Sequence, residues 1–140
     1  MRFMIIVKAT KDTEAGLFPP DKEQLFADMA TYHEELKNAG MLLDGSGLQP
    51  SSKGWRILYS RGKTTVVDGP FAETKELVAG YTVIQAKSRE EALAWTKRFP
   101  NPAGSGRNAE IEVRQLYELE DFGPVEAIDR FKEMGIGGKK

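Results

Sequence analysis

The first strand predicted in this chain is apolar on both of its faces. Residues 3–7 read FMIIV, and Lys8 ends the run. Because successive side chains of a strand point to opposite faces of a sheet, the odd-numbered residues would face one side and Met4 and Ile6 the other. A strand of this composition is typical of the interior of a sheet that is covered on both faces.

Two amphipathic helices are predicted to cover one of those faces. The first begins near Asp21 and ends near Gly40, a residue suited to a left-handed helix cap. The second begins at the capping box formed by Ser88 and Glu91. Each helix has one apolar stripe. The stripes comprise Leu25, Met29, Tyr32 and Leu36 in the first helix, and Ala92, Trp95 and Phe99 in the second.

The remaining strands complete a β-α-β-β-β-α-β order, followed by a C-terminal helix. This order predicts an α+β fold: a ferredoxin-like antiparallel sheet with two helices on one face. Residues 11–20 are expected to form a loop, and residues 41–50 a short strand interrupted by Gly45 and Gly47. The other expected strands are a hairpin of residues 55–60 and 64–67 with the three-residue connection 61–63, then residues 79–86 and 110–119.

The C-terminal residues are predicted to extend a single domain. We expect residues 1–120 to form the α+β domain and residues 121–140 a helical extension with a tail. Pro124 would open a short helix in which Val125, Ile128 and Phe131 share one side. The last six residues, GIGGKK, are expected to be frayed.

Composition excludes several classes of function. Lys and Arg number 20 against 21 Asp and Glu, a balance that argues against nucleic-acid binding. The chain has no cysteine, which excludes disulfides, thiolate zinc sites and cysteine nucleophiles, and its single histidine excludes a multi-histidine metal site. The N-terminal apolar run is too short for a signal peptide or a membrane span. We therefore expect a soluble cytoplasmic protein without a metal or cofactor.

The second face of the sheet predicts a homodimer. Leu58, Ile84 and Leu116 would add apolar groups to the face that the two helices leave open. An exposed patch of that size is typical of an interface, so two sheets are expected to pack face to face. In the alternative, the C-terminal segment folds back over its own sheet.

The same face carries charged residues that are candidates for ligand binding. Arg56, Glu112 and Arg114 alternate with apolar residues along their strands. In a dimer they would line a semi-buried cavity, where Arg56 and Arg114 would suit a carboxylate, since guanidinium binds carboxylates in a bidentate fork. In the alternative, Glu112 pairs with an arginine in solvent.

The phrase DGPFAETKE, residues 68–76, is both a strand-to-strand corner and a candidate site. Gly69 and Pro70 are explained by turn chemistry, and Phe71 by packing. The density of polar residues around one aromatic, Lys75 among them, also fits a ligand-binding or dimer-contact loop. Asp68 is the candidate general base or ligand for a hydroxyl group.

Two further residues are candidates for the site. His33 lies at the edge of the first helix stripe, where it is either a packed residue or a proton shuttle at the mouth of a cavity. Asp44 lies beside glycines where a ligand could approach the backbone, and it is otherwise a turn residue.

The combination of motifs resembles a known family. DGPFAETKE, the preceding NAGMLLDGSGLQPSSKG and the following SREEALAW and EIEVRQL resemble the DGPF group of YCII-related proteins over residues 1–117. The resemblance implies a dimeric α+β barrel. The group has no generally established activity. Its members are often encoded beside extracytoplasmic-function sigma factors, and distant relatives are enzymes that act on small, often aromatic, molecules.

The resemblance also exposes a departure from the family pattern. Better-studied YCII proteins carry a histidine early in the first helix, proposed to act with an aspartate. Met29 lies closer to that position, and His33 falls about one turn later. The proposed pair is therefore not carried over intact to this chain.

Two classes of function follow. In the first, a dimer binds a small carboxylate or phenolic molecule in a cleft, with cofactor-free isomerisation or elimination if it is an enzyme. Asp68 and His33 would then transfer protons, and Arg56 or Arg114 would hold the anion. In the second, the protein is a sensor or accessory partner of a sigma factor that binds through the helix at residues 125–131.

Overall fold

The apolar first strand lies in the middle of an antiparallel sheet, as its two apolar faces require. This computed structural model describes residues 1–137, in which β1 (Arg2–Lys8) has a neighbour on each side. With β2 (Leu42–Gly47), β5 (Val78–Gln85) and β6 (Ile111–Gln115), it forms a four-stranded sheet of order β2-β5-β1-β6. A separate hairpin consists of β3 (Trp55–Ser60) and β4 (Lys63–Asp68).

Two of the four helices pack on one face of this sheet. α2 (Lys22–Asn38) and α3 (Arg89–Thr96) contribute Leu36 and Ala92 to the core, which also contains Phe3 and Ile5 of β1. Burying one such aliphatic side chain contributes about 1.5–3 kcal/mol. Ser88 caps α3 as predicted, because its Oγ accepts a hydrogen bond from the Glu91 N–H at 3.0 Å. The predicted fold class, an α+β ferredoxin-like sheet with two helices on one face, is confirmed.

The pairing register assigns each strand residue to a face. Ile84 pairs with Phe3 and is fully buried on the helix side, so its predicted place on the second face was wrong. On the opposite face, here called the open face, Met4 and Ile6 are half-buried and lie beside Val83 and Tyr81. Because residues directly opposite each other share a face, Glu112 and Arg114 also belong to the open face.

The hairpin differs from its prediction in two respects. Its connection has two residues, Arg61 and Gly62, with φ values of 52° and 77°, which is typical of a tight turn between twisted strands. Lys63 therefore belongs to β4. The hairpin also pairs with no strand of the central sheet, so Arg56 and Leu58 lie outside the open face on which they were predicted.

Local signals misplaced two other elements. Residues predicted as a loop include the one-turn helix α1 (Lys11–Glu14), which Thr10 caps by accepting from the Thr13 N–H. β2 runs through Gly45 and Gly47, because strand pairing outweighs the weak strand preference of glycine.

The C-terminal extension forms less helix than predicted. α4 (Ile128–Glu133) begins four residues after Pro124, and a 3₁₀ turn at Leu119–Phe122 precedes it. Val125 and Phe131 remain exposed, whereas Leu119 of the 3₁₀ turn is buried. The predicted frayed tail extends into residues 138–140, which lie outside the described residues.

Candidate functional site

A cleft lies between α2 and the edge strand β2, where glycines leave the sheet bare of side chains. Gly45 pairs with Thr82, and Gly47 pairs with Gly80, all on the face that looks toward the helices. These glycines put no side chain beneath α2, and a cleft of about 1160 Å³ remains. Gly80 also permits close strand approach, since a Cβ there would lie 3.1 Å from the carbonyl oxygen of Ser46.

His33 reaches from α2 to the floor of this cleft. Its Nδ1 lies 2.7 Å from the carbonyl oxygen of Met29, and its Nε2 lies 2.8 Å from Oγ1 of Thr82. A carbonyl oxygen only accepts hydrogen bonds, so Nδ1 carries a proton. In the neutral ring Nε2 is then an acceptor, and the Thr82 hydroxyl donates to it. The pair therefore directs a proton-accepting nitrogen at a hydroxyl in the cleft floor.

The surroundings hold this pair in place. Thr82 is only 3% exposed, and Gly45 leaves space beside it, because a Cβ at Gly45 would lie 3.6 Å from the Thr82 hydroxyl oxygen. The imidazole of His33 makes edge contacts with the rings of Tyr32 and Phe99, at centroid distances of 5.7 and 6.1 Å. Packing thus fixes the ring orientation that the two hydrogen bonds require.

Tyr32 anchors α2 to α3 behind the site. Its hydroxyl donates a hydrogen bond of 2.7 Å to the carbonyl oxygen of Trp95. Desolvation by burial raises the pKa of Tyr32 to about 12. The helix that carries His33 therefore has a defined position relative to the rest of the core.

The mouth of the cleft is mainly apolar. Phe18 and Phe26 meet edge to face at 5.8 Å, and both are exposed. Leu17, Leu43 and Leu48 are also exposed cleft residues. Lys37 is the only Lys or Arg among the described residues that line the cleft. This lining suits a molecule with an aromatic or aliphatic body and a polar or anionic group.

Asp44 and Tyr81 form a second polar pair at the sheet edge that borders the cleft, with their side chains on the open face. The Tyr81 hydroxyl donates to Oδ2 of Asp44 at 3.2 Å, and the Gly45 N–H donates to Oδ1 at 2.8 Å. The hydrogen bond to Asp44 raises the pKa of Tyr81, because the carboxylate favours the protonated phenol. Asp44, one of the residues predicted from sequence, thus borders the cleft that contains His33, but its carboxylate pairs with Tyr81 on the opposite face of the sheet edge.

The DGPF corner is tied to the segment that follows β2. Its Gly69–Pro70 peptide bond is cis, and the Gly69 N–H donates to the carbonyl oxygen of Gly54 at 3.0 Å. The Phe71 N–H donates to Oγ of Ser51 at 3.0 Å. Ser51 in turn donates to the Glu14 carboxylate through both its hydroxyl and its N–H. The corner is therefore linked to α1 through Ser51.

Three predicted site residues belong to the hairpin and this corner. The Arg56 guanidinium lies 3.8 Å from the centre of the Phe71 ring, which is half-buried beneath it. Asp68 is exposed opposite Trp55 at the base of the hairpin, and Lys75 is exposed in the 3₁₀ turn that follows. None of the three is among the residues that line the His33 cleft.

The predicted pair on β6 forms a charge cluster on the open face. Glu112 accepts from Lys8 at 3.1 Å and from Arg114 at 3.2 Å. The hydrogen bond from Lys8, with a further one from Arg114, holds the pKa of Glu112 below its usual value. Arg114 is well exposed. The candidates from the sequence thus form three groups, of which only that of His33 and Asp44 lines or borders the cleft.

Two polar residues of these networks carry no signal in the sequence. Thr82 lies within a strand of ordinary composition, 49 residues from His33. Glu14 lies in a segment predicted as a loop, 37 residues from Ser51. Residues 1–137 contain no group of three or more His, Asp or Glu side chains placed to hold a metal ion. None of the helices in that range is long and apolar enough to cross a membrane.

The fold and the cleft define an α+β protein of the ferredoxin-like class with a site between its first long helix and an edge strand. The sequence profile of the YCII-related domain matches residues 1–119. The chain therefore belongs to the YCII-related family. An uncharacterized protein of Rhizobium meliloti (strain 1021) is 32% identical over 98 residues, which are 70% of this chain and 79% of that protein.

A solved structure is similar at lower identity. It is the 5-chloro-2-hydroxyhydroquinone dehydrochlorinase from Burkholderia phenoliruptrix AC1100 in complex with 2,5-dihydroxybenzoquinone. The two chains are 16% identical with a TM-score of 0.43, and the alignment covers 84% of this chain and 95% of the other.

Proposed function

We propose that this protein binds a small organic molecule in the cleft between α2 and β2, and that His33 transfers protons there. The hydrogen bond between His33 and Thr82 carries the proposal, because it presents a proton acceptor and a hydroxyl together at the floor of an otherwise apolar cleft. The exposed Phe18 and Phe26 support a ligand with an aromatic or aliphatic body, and Lys37 supports a carboxylate or phenolate group.

Proton transfer would proceed through the Thr82 hydroxyl. Thr82 Oγ1 takes a proton from an acidic C–H or O–H of the ligand and gives its own proton to Nε2 of His33. The imidazolium that forms keeps its Nδ1–H on the Met29 carbonyl oxygen. Return of the proton to another ligand atom completes an isomerisation, and departure of a leaving group instead completes an elimination. Neither reaction needs a cofactor.

The sequence also proposed Asp68 as a proton-transfer residue and Arg56 or Arg114 as anion ligands. These residues lie on the hairpin and the open face, so they give a site different from the cleft. The cleft proposal predicts that substitutions in the cleft abolish ligand binding, whereas the other site predicts this for substitutions of Asp68, Arg56 or Arg114. One set of measurements distinguishes the two proposals.

The test is a thermal-shift screen with small carboxylates and phenols on matched variants. A ligand that binds only the folded wild type raises its melting temperature. We expect Thr82→Val to lose this shift and Thr82→Ser, which keeps the hydroxyl, to retain it. Asp68→Asn should also retain it. Loss in Asp68→Asn with retention in Thr82→Val would reject the cleft and favour the DGPF corner.

Blocking the cleft gives a second test that does not depend on the proton-transfer role. A Cβ added at Gly47 meets no atom within 4 Å, and its φ is not positive, so larger side chains fit without backbone strain. Gly47→Leu should fill the cleft and abolish the ligand shift, whereas Gly47→Ala should weaken it less. A full ligand response in folded Gly47→Leu would show that the molecule binds elsewhere.

We further propose that two copies associate through the open face. Met4 and Ile6, both half-buried, form an apolar strip there with the buried Val83, beside the charge cluster of Glu112. The C-terminal segment buries Leu119 but leaves Val125 and Phe131 exposed, so these two apolar side chains take no part in covering this strip. A second copy of the sheet supplies the missing layer.

A sensor or accessory partner is the second candidate function, and the sigma-factor association belongs to it. The exposed Val125 and Phe131 support a protein-binding surface at the C-terminal segment. A pull-down with the full chain and with residues 1–123 tests this function. Retention of a sigma factor by the full chain alone would favour it, and equal results with both chains would reject it.

A further inference from the structure

The β3–β4 hairpin exposes apolar side chains that the rest of the chain does not cover. Every residue of β3 and β4 is exposed. Trp55, Ile57, Tyr59 and Val66 lie on one face of the hairpin, and Trp55 and Tyr59 are 64% and 78% exposed. An isolated two-stranded hairpin is marginally stable in water, and exposed aromatic residues are enriched where proteins bind each other. The hairpin therefore needs a surface to contact.

A second exposed apolar surface lies in the segment that follows β6. Tyr117 and Phe122 stack on each other at 4.8 Å and are both more than half exposed. Val125 is 52% exposed. This segment, residues 115–129, and the hairpin are thus two unpartnered apolar surfaces of one chain.

The two surfaces carry opposite charge. Residues 53–68, which include the whole hairpin, contain four basic residues (Lys53, Arg56, Arg61 and Lys63) and one acidic residue, Asp68, which lies opposite Trp55 at the base. Arg56 and Lys63 lie on the face opposite to Trp55, Ile57 and Tyr59, so the positive charge of the hairpin flanks its apolar face. Residues 115–129 contain five acidic residues and no basic residue, namely Glu118, Glu120, Asp121, Glu126 and Asp129. Since the net charge of the whole chain is only −1, this separation is a local feature that makes one surface complementary to the other.

The two surfaces lie at opposite ends of the sheet. The hairpin lies between the end of β2 and the start of β5, near the Lys8 end of β1. The acidic segment begins at the other end, where the Leu116 N–H donates to the Arg2 carbonyl oxygen and Glu118 pairs with Arg2. Seven strand residues separate these ends by about 20 Å. At that distance the two surfaces of one chain do not contact each other, in agreement with the exposure of both.

We propose that, in the dimer, the hairpin of each copy docks on residues 115–129 of the other. This contact rests on the open-face dimer proposed above. A two-fold axis perpendicular to the strands stacks the two sheets with strands antiparallel, and it brings the hairpin end of one copy over the acidic end of the other. A two-fold axis parallel to the strands would bring two basic hairpins together instead. Charge complementarity therefore favours the first arrangement. In it, each hairpin contacts the acidic segment of the other copy, so the same contact occurs twice, related by the two-fold axis.

Charge reversal tests the contact. Arg61→Asp with Lys63→Glu reverses the hairpin tip, and Glu126→Lys with Asp129→Lys reverses the acidic segment. Each pair should weaken dimerisation at least about tenfold, because like charges then face each other across the interface. The chain that carries all four changes should regain most of the lost affinity. Analytical ultracentrifugation at low and high salt measures the dissociation constants, and wild-type affinity in all three variants would reject the contact.

Cysteine cross-linking tests the arrangement directly, because the chain has no cysteine of its own. A Tyr59→Cys chain mixed with a Val125→Cys chain should form a disulfide-linked heterodimer under mild oxidation. Tyr59→Cys alone is the control, and efficient linkage of two such chains would favour the parallel arrangement and reject ours. A wild type that is monomeric at every concentration would reject the dimer itself. A dimer that persists in all variants without the mixed cross-link would reject only the hairpin contact.

Discussion

At the scale of residues, the hydrogen bond of Thr82 can be tested by stability measurements, which need no ligand. Thr82→Val keeps the shape of the side chain but leaves Nε2 of His33 without its donor. An unpaired buried polar group costs about 1–3 kcal/mol. His33 is half-buried and lines the cleft, where water can replace the hydroxyl, so we expect the free energy of unfolding to fall by about 1 kcal/mol, the lower end of that range. Urea denaturation measures it. Thr82→Ser should cost less, and equal losses in the two variants would assign the effect to packing rather than to the hydroxyl.

The pKa of Tyr32 gives a prediction for alkaline pH. The folded state raises this pKa from about 10 to about 12, so the phenol of the unfolded chain loses its proton first as pH rises. The stability that the neutral phenol contributes is full below pH 10 and is lost as pH rises to about 12. Urea denaturation across this window should show a steeper fall for the wild type than for Tyr32→Phe. Parallel curves would contradict the assignment.

The sequence predicted only one member of each polar pair in or beside the cleft. His33 and Asp44 stood out because a boundary histidine and an aspartate beside glycines are local patterns. Their partners Thr82 and Tyr81 lie 49 and 37 residues away and come together through strand pairing. A local pattern carries no information on such contacts, so the sequence predicted a cleft but neither the Thr82 nor the Tyr81 partner.

At the scale of elements, the DGPF corner depends on Gly69 for a steric reason. A Cβ at Gly69 would overlap the backbone carbonyl of Ser51, whereas a Cβ at Gly47 would meet no atom within 4 Å. We therefore expect Gly69→Ala to destabilise the fold by more than about 2 kcal/mol, in the range of severe overpacking. Gly47→Ala is the matched control and should change stability by under about 1 kcal/mol. Equal urea midpoints for the two variants would contradict this reading of the corner.

The helices were predicted more accurately than the pairing of the strands, for a physical reason. The stripe from Leu25 to Leu36 and the cap at Ser88 are local signals, and both helices occur where they indicated. Strand partners are set by distant residues, and the pattern gave no reason to separate the hairpin from the sheet. The sequence therefore predicted the ferredoxin-like plan correctly and misplaced Arg56, whose position depends on that separation.

At the scale of the whole molecule, the apolar first strand remains the strongest argument for a dimer. α2 and α3 cover Phe3 and Ile5, but Met4 and Ile6 face the open side. The C-terminal segment of the same copy buries Leu119 but leaves Val125 and Phe131 exposed, so it does not form a full second layer. Both faces of β1 are covered in one step when two sheets stack about 10 Å apart.

Ile6→Lys provides the last test of this arrangement. The side chain is half-buried on the open face between Tyr81 and Glu112. A lysine there can reach solvent in a monomer, but between two sheets it would be buried beside a carboxylate that already pairs with Lys8 and Arg114. We expect the variant to remain folded by circular dichroism and to sediment as a monomer where the wild type is a dimer. Leu93→Lys, on the exposed side of α3, is the control and should remain dimeric. A dimeric Ile6→Lys would move the interface away from the open face, since burying an additional charge at its centre would cost several kcal/mol.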